Sequence, residues 1–118
     1  MNSLSGQVSI QVGKKKYQCH LSMNAFRLMC EEKNISLGEM QELLQSRPLN
    51  AVPQVLYQGL HTHCHFHNKP TDGLPAYEYF AARILDNQDD LEKYTGYIAK
   101  VFNGEAIDGE EKPEEGNE

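Results

Sequence analysis

Tryptophan is absent, cysteine occurs three times, and no apolar run approaches a membrane span. Each shortage excludes something. A spanning helix needs roughly 20 consecutive apolar residues, so no membrane segment is expected. Cys19, Cys30 and Cys64 are odd in number and contain no C-x-x-C, which argues against a disulfide framework. The opening MNSLSGQ has neither a charged n-region nor an apolar h-region, so no signal peptide is expected and a cytoplasmic protein is. Cationic stretches are scarce too. Beyond Lys14–Lys16 there is no basic stripe, which sets nucleic-acid binding aside. What charge there is lies at the end. From Glu105 onward seven acids face only Lys112, which accounts for the net charge of −6 and leaves residues 1–104 balanced. This stretch has one large aliphatic residue, Ile107. Residues 105–118 are therefore expected to form a disordered acidic tail, leaving one domain over 1–104.

What is present is periodicity. Val8, Ile10 and Val12 alternate with polar residues, Gly13-Lys14-Lys15 reads as a turn, and Tyr17, Cys19 and Leu21 alternate again. This predicts a β-hairpin over 8–21 with one apolar face. A lone hairpin is marginal in water, so it must lie on the rest of the chain. From Ser22 the period changes to that of helices. Met23, Phe26, Met29 and Cys30 form a stripe that Asn34 stops. Ser36-Leu-Gly-Glu39 has the form of a capping box before Leu37, Met40, Leu43 and Leu44. Arg47-Pro48 ends that helix. The longest helix is expected from about Ala51 to His67, with Asn50 as its cap and Pro53 in its first turn. Gly59 on its inner face permits close backbone approach. A loop over 68–73 and helices over 74–85 and from Asn87 or Asp89 to Phe102 complete a fold of mainly α class with a small N-terminal hairpin, about five helices in all.

Four of five histidines crowd the end of the long helix, in His61-Thr-His-Cys-His-Phe-His67. Read as a helix, His61, Cys64 and His65 adjoin one another; read as a strand, His61, His63, His65 and His67 share a face. Either arrangement permits capture of zinc or nickel, with His61, Cys64, His65 and His67 as ligands. The plainer expectation is that His63, Cys64 and His67 continue the core stripe while His61 and His65 face solvent, with no bound cofactor beyond an adventitious ion. There is no H-E-x-x-H and no acid beside the cluster to serve as a base. Tyr77, Tyr79, Tyr94 and Tyr97 read as core-edge aromatics that bury a ring and wet the hydroxyl; Tyr77 and Tyr94 are candidate anchors for a partner.

The order of segments carries a resemblance. Gly13, Lys16, Tyr17, Leu21, Met23, Asn24, Ala25, Arg27, Glu31, Glu32, Ile35, Ser36 and Leu37, followed by Val55-Leu-Tyr-Gln-Gly-Leu60 and the closing Val101-Phe-Asn103, resemble small tail assembly chaperones of long-tailed bacteriophages and prophages. The HTHCHFH run and Cys19 depart from that pattern. The resemblance implies a non-enzymatic protein of the bacterial host cytoplasm. It would self-associate and bind the tape-measure and tail-tube proteins during virion assembly. On that reading the client groove is expected between the hairpin and the first and central helices, near Met23, Phe26, Leu56 and Leu60, with Tyr77 and Tyr94 beside it.

Overall fold

The computed structural model describes residues 7–104; the expected acidic tail lies outside them. Strands β1 (Gln7–Val12) and β2 (Lys15–His20) form the N-terminal hairpin, and five helices follow: α1 (Met23–Lys33), α2 (Leu37–Ser46), α3 (Pro48–Phe66), α4 (Tyr77–Leu85) and α5 (Gln88–Phe102). The mainly helical class with one small hairpin is the one expected from the periodicity. The strands pair antiparallel, with Val8 opposite Cys19, Ile10 opposite Tyr17 and Val12 opposite Lys15. Gly13 takes a φ of +64° in the connecting turn, the conformation a two-residue hairpin turn requires of its first residue. Val8, Ile10, Val12, Cys19 and Leu21 are all buried, so the hairpin has one face on the core. His20 points its ring to the other face yet is also buried, because Phe66 from the end of α3 covers it at 4.6 Å between ring centroids.

α3 is the central element: it touches α1, α2, α4, α5 and β2, while β1 packs on β2 and α4. Ala51, Val52, Val55, Leu56, Gly59, Leu60 and Cys64 give it a continuous buried seam. Gly59 is where β2 comes closest. A side chain there would run into Cys19 Sγ, so the small residue at 59 and the small thiol at 19 are one fit. The Cys19 thiol also donates to the Leu56 carbonyl at 3.5 Å.

The helix ends follow local chemistry. Ser36 Oγ accepts from Glu39 N at 3.1 Å, and Ser36 N donates to Glu39 Oε1 at 2.8 Å, completing the expected capping box. Asn34 stops α1 at φ 57°, with Ile35 N reaching back to the Cys30 carbonyl at 3.0 Å. Asn68 stops α3 in the same way at φ 54°, with Lys69 N on the Cys64 carbonyl at 2.8 Å; both are left-handed caps of the Schellman kind. Asn87 Oδ1 caps α5 by accepting from Asp90 N. Ser36→Ala removes half of the box and is expected to cost about 1 kcal/mol, read as a lowered urea midpoint with an unchanged slope; no change would mean the box is frayed in solution.

Two starts differ from expectation. α3 begins at Pro48, three residues before Ala51 and with Arg47 in place of Asn50 as the residue ahead of it, because proline is well suited to the first helical position. Arg47 thus closes α2 and opens α3. Pro53 then falls in the second turn, where it withholds the donor that would reach the Leu49 carbonyl. α4 begins at Tyr77 instead of Leu74, since Pro75 disfavours helical backbone at the residue before it.

Candidate functional site

Three of the four residues expected to line a groove by the hairpin are core. Phe26, Leu56 and Leu60 are fully buried by the chain's own packing. Met23 is the exception, 53% exposed at the start of α1. Tyr94 is buried, and Tyr77 is half-buried at the start of α4. The four therefore do not form one surface, because the seam that reads as a groove in the sequence is filled by β2 and α1.

Tyr77 leads to the site the sequence did not reveal. The last turns of α1 bring Met29, Glu32 and Lys33, the middle of α3 brings Gln54, Tyr57 and Gln58, and the first turn of α4 brings Tyr77 and Glu78, around a cleft of about 300 Å³. Positions 54, 57 and 58 share one side of α3 because residues three and four apart are neighbours on a helix. Tyr57 is fixed from three directions. Its hydroxyl donates to the Pro75 carbonyl at 2.7 Å, and its ring meets Tyr77 edge-on at 5.2 Å and 73° and Phe80 at 5.4 Å. Gln58 Nε2 donates to Glu32 Oε1 at 2.7 Å, tying α3 to α1 at the cleft wall. Burial raises the pKa of the Tyr57 hydroxyl and Glu32 adds to the rise. Burial also raises that of Tyr77, with Glu78 and Glu32 adding and a Gln54 hydrogen bond opposing. Both phenols stay protonated at neutral pH, and both carboxylates act on the Tyr77 hydroxyl. The cleft thus offers aromatic faces and negative charge. A second cleft of about 250 Å³ lies between α2 and α5, where Leu44, Ile98 and Phe102 share the lining with Gln41, Gln45 and Thr95.

The histidine stretch is helical to Phe66, so the strand alternative does not apply. His63 and Cys64 are buried as the stripe predicts, but His67 is exposed because α3 unwinds there before Asn68. Thr62, not singled out by the sequence, is fully buried; its hydroxyl donates to the Gln58 carbonyl at 2.9 Å and accepts from Asn24 Nδ2 at 3.2 Å. His61 Nδ1 lies 3.1 Å from the Tyr57 carbonyl, and its ring stands edge-on to Tyr57. His65 is exposed. Among the described residues no three His, Cys, Asp or Glu side chains are grouped to hold a metal ion. Of the thiols, Cys19 is fully buried and its pKa is pushed far up by that burial. That of Cys30 is raised by burial and by Glu39, so both stay protonated and unreactive at neutral pH.

His63 is a buried group that acidification acts on. Burial lowers its pKa below 6.5, and nearby His67, Lys69 and His20 lower it further. Its ring lies 4.3 Å from that of His67, and Nδ1 is 3.4 Å from Gln7 Nε2, a hydrogen bond that protonation of Nδ1 removes. The unfolded chain takes up a proton first, so stability present above pH 6.5 is lost as the pH falls below it, until the folded form is protonated as well. Urea midpoints are expected to drop between pH 7 and pH 5, and His63→Gln is expected to flatten that part of the profile; an equally steep profile in the variant would assign the loss to other groups.

Comparison with protein-family models, curated protein sequences and solved structures finds no match.

Proposed function

We propose that this chain is a tail assembly chaperone of a long-tailed bacteriophage or prophage, holding the tape-measure and tail-tube proteins during virion assembly without itself catalysing a reaction. Two things support the reading. The first is where the residues of the sequence resemblance fall. Gly13 makes the hairpin turn, Ser36 makes the capping box, and Asn24 bridges α1 to Thr62 on α3 while accepting from Arg27. Val55, Leu56, Gly59 and Leu60 form the α3 seam. These residues hold the hairpin and helices together, so part of the pattern that carries the resemblance falls on positions that build the fold.

The second, and the observation on which the reading rests most, is the α1–α3–α4 cleft. It presents half-buried tyrosines and acids on three different helices, a recognition surface on rigid elements. The two thiols with raised pKa values are sequestered or protonated, which fits binding better than nucleophilic chemistry.

Co-expression with the tape-measure and tail-tube proteins of the same genome tests the reading. The soluble fraction of at least one is expected to rise and to co-purify with this chain. If neither protein's solubility changes and neither co-purifies, the chaperone reading fails.

A further inference from the structure

We propose that the cleft between α1, α3 and α4 receives an arginine side chain presented by a protein partner. The proposal rests on the chaperone reading and specifies what the client brings to this site. Its basis is the pairing of aromatic walls with unbalanced negative charge. Tyr57 and Tyr77 supply rings held edge to face at 5.2 Å, and Glu32 and Glu78 supply carboxylates from two helices against the single ammonium of Lys33. Gln58 occupies Oε1 of Glu32, so Oε2 keeps its capacity to accept. The Tyr57 hydroxyl is committed to the Pro75 carbonyl and its ring is in contact with those of His61, Tyr77 and Phe80, so what Tyr57 offers a ligand is the part of its locked ring that lines the cleft.

An anion would meet two carboxylates. A purely apolar group would find Met29 but would make no use of the exposed carboxylates of Glu32 and Glu78. A cation satisfies both halves of the wall: attraction to the ring faces and charge-assisted hydrogen bonds to the carboxylates. Arginine fits better than lysine. Its planar guanidinium stacks on a tyrosine while its fork of N–H groups engages a carboxylate edge-on, and it gives up hydration more readily than an ammonium. Lys33 lines the same cleft and opposes the incoming charge, so it sets the affinity from the other side.

The test is an amide-resolved NMR titration of the full chain with N-acetyl-arginine amide, and with the citrulline analogue, which has the same shape and no charge. Saturable shifts are expected at Tyr57, Gln58, Tyr77 and Glu78, with the citrulline probe at least about tenfold weaker. Glu78→Gln on the exposed start of α4 should weaken arginine binding by about tenfold while the rest of the spectrum stays in place. Lys33→Gln should strengthen it. Equal binding of the two probes, an unchanged affinity in Glu78→Gln, or no localised shifts up to the solubility limit would overturn the proposal. Localised arginine binding without any effect on tape-measure or tail-tube solubility would uphold the receptor and remove the chaperone. Client rescue that persists in a chain showing no arginine shifts would do the reverse.

Discussion

Leu56→Ala is expected to lower the free energy of unfolding by about 2–5 kcal/mol, and Phe26→Ala by about 3–5 kcal/mol. Both side chains are fully buried in one cluster with Val52, Val55, Leu60 and Met29. α3 is in contact with five other elements, which leaves little freedom to collapse around a cavity, so the upper half of each range applies. For a domain of this size, with a total stability of roughly 5–15 kcal/mol, either substitution removes a large share of it. Met23→Ser gives the contrast. That side chain is 53% exposed, and its replacement should stay within about 0.5 kcal/mol. Urea denaturation of the three variants separates core from surface directly. A cost for Leu56→Ala as small as that for Met23→Ser would mean that the seam of α3 opens in solution, and the groove expected there from the sequence would regain its place.

Gly59→Val is the second large effect, and it acts by crowding. A Cβ at position 59 collides with Cys19 Sγ and comes within 3.5 Å of the His20 carbonyl oxygen and of Leu21 Cδ2. Cys19 is buried on a strand that is itself hydrogen-bonded to β1, so it has nowhere to retreat. Overpacking of this kind costs about 1–3 kcal/mol. The β-branched methyls of valine place it at the upper end. The smaller Gly59→Ala combined with Cys19→Ala identifies the obstacle. Removing the sulfur makes room for the new methyl, so the double variant should be more stable than the sum of the two singles predicts, by about 1–2 kcal/mol. Strict additivity would show that the thiol is not what limits the approach of β2 to α3.

The parts of the fold readable from the sequence are those decided by neighbours along the chain. The hairpin, the Ser36–Glu39 box and the Asn34 stop each depend on a few consecutive residues and took the expected form, and of the two expected starts of the last helix, Asn87 and Asp89, Asn87 is the cap. Gly59 was legible as a point of close approach because the apolar residues beside it fix its face. The misplaced starts of α3 and α4 both involve proline, which opens a helix at 48 and delays one after 75. Phe26, Leu56 and Leu60 show where periodicity stops informing. It identifies a face that must be covered, yet the cover, β2 and α1 here, is a tertiary fact. The arginine cleft was out of reach for a related reason. Glu32, Gln58 and Glu78 are ordinary polar residues on three separate helices, and only the packing of α1 and α4 on α3 gathers them. Tyr77 alone carried a signal, as an aromatic at the edge of a helical stripe.

The central place of α3 also orders events at the ribosome. The hairpin and α1 emerge before α3, so Cys19 and Leu21 wait for residues 48–66 to cover them, β1 waits for α4, and Phe26, whose ring stacks on Phe102 at 5.2 Å, waits for α5. Until then the nascent chain carries a greasy two-stranded ribbon with open edges. Those buried faces are therefore uncovered for the longest part of synthesis, and the exposed charges nearest to them are Lys14, Lys15 and Lys16 at the ribbon's tip, the kind of residue that discourages edge-to-edge pairing.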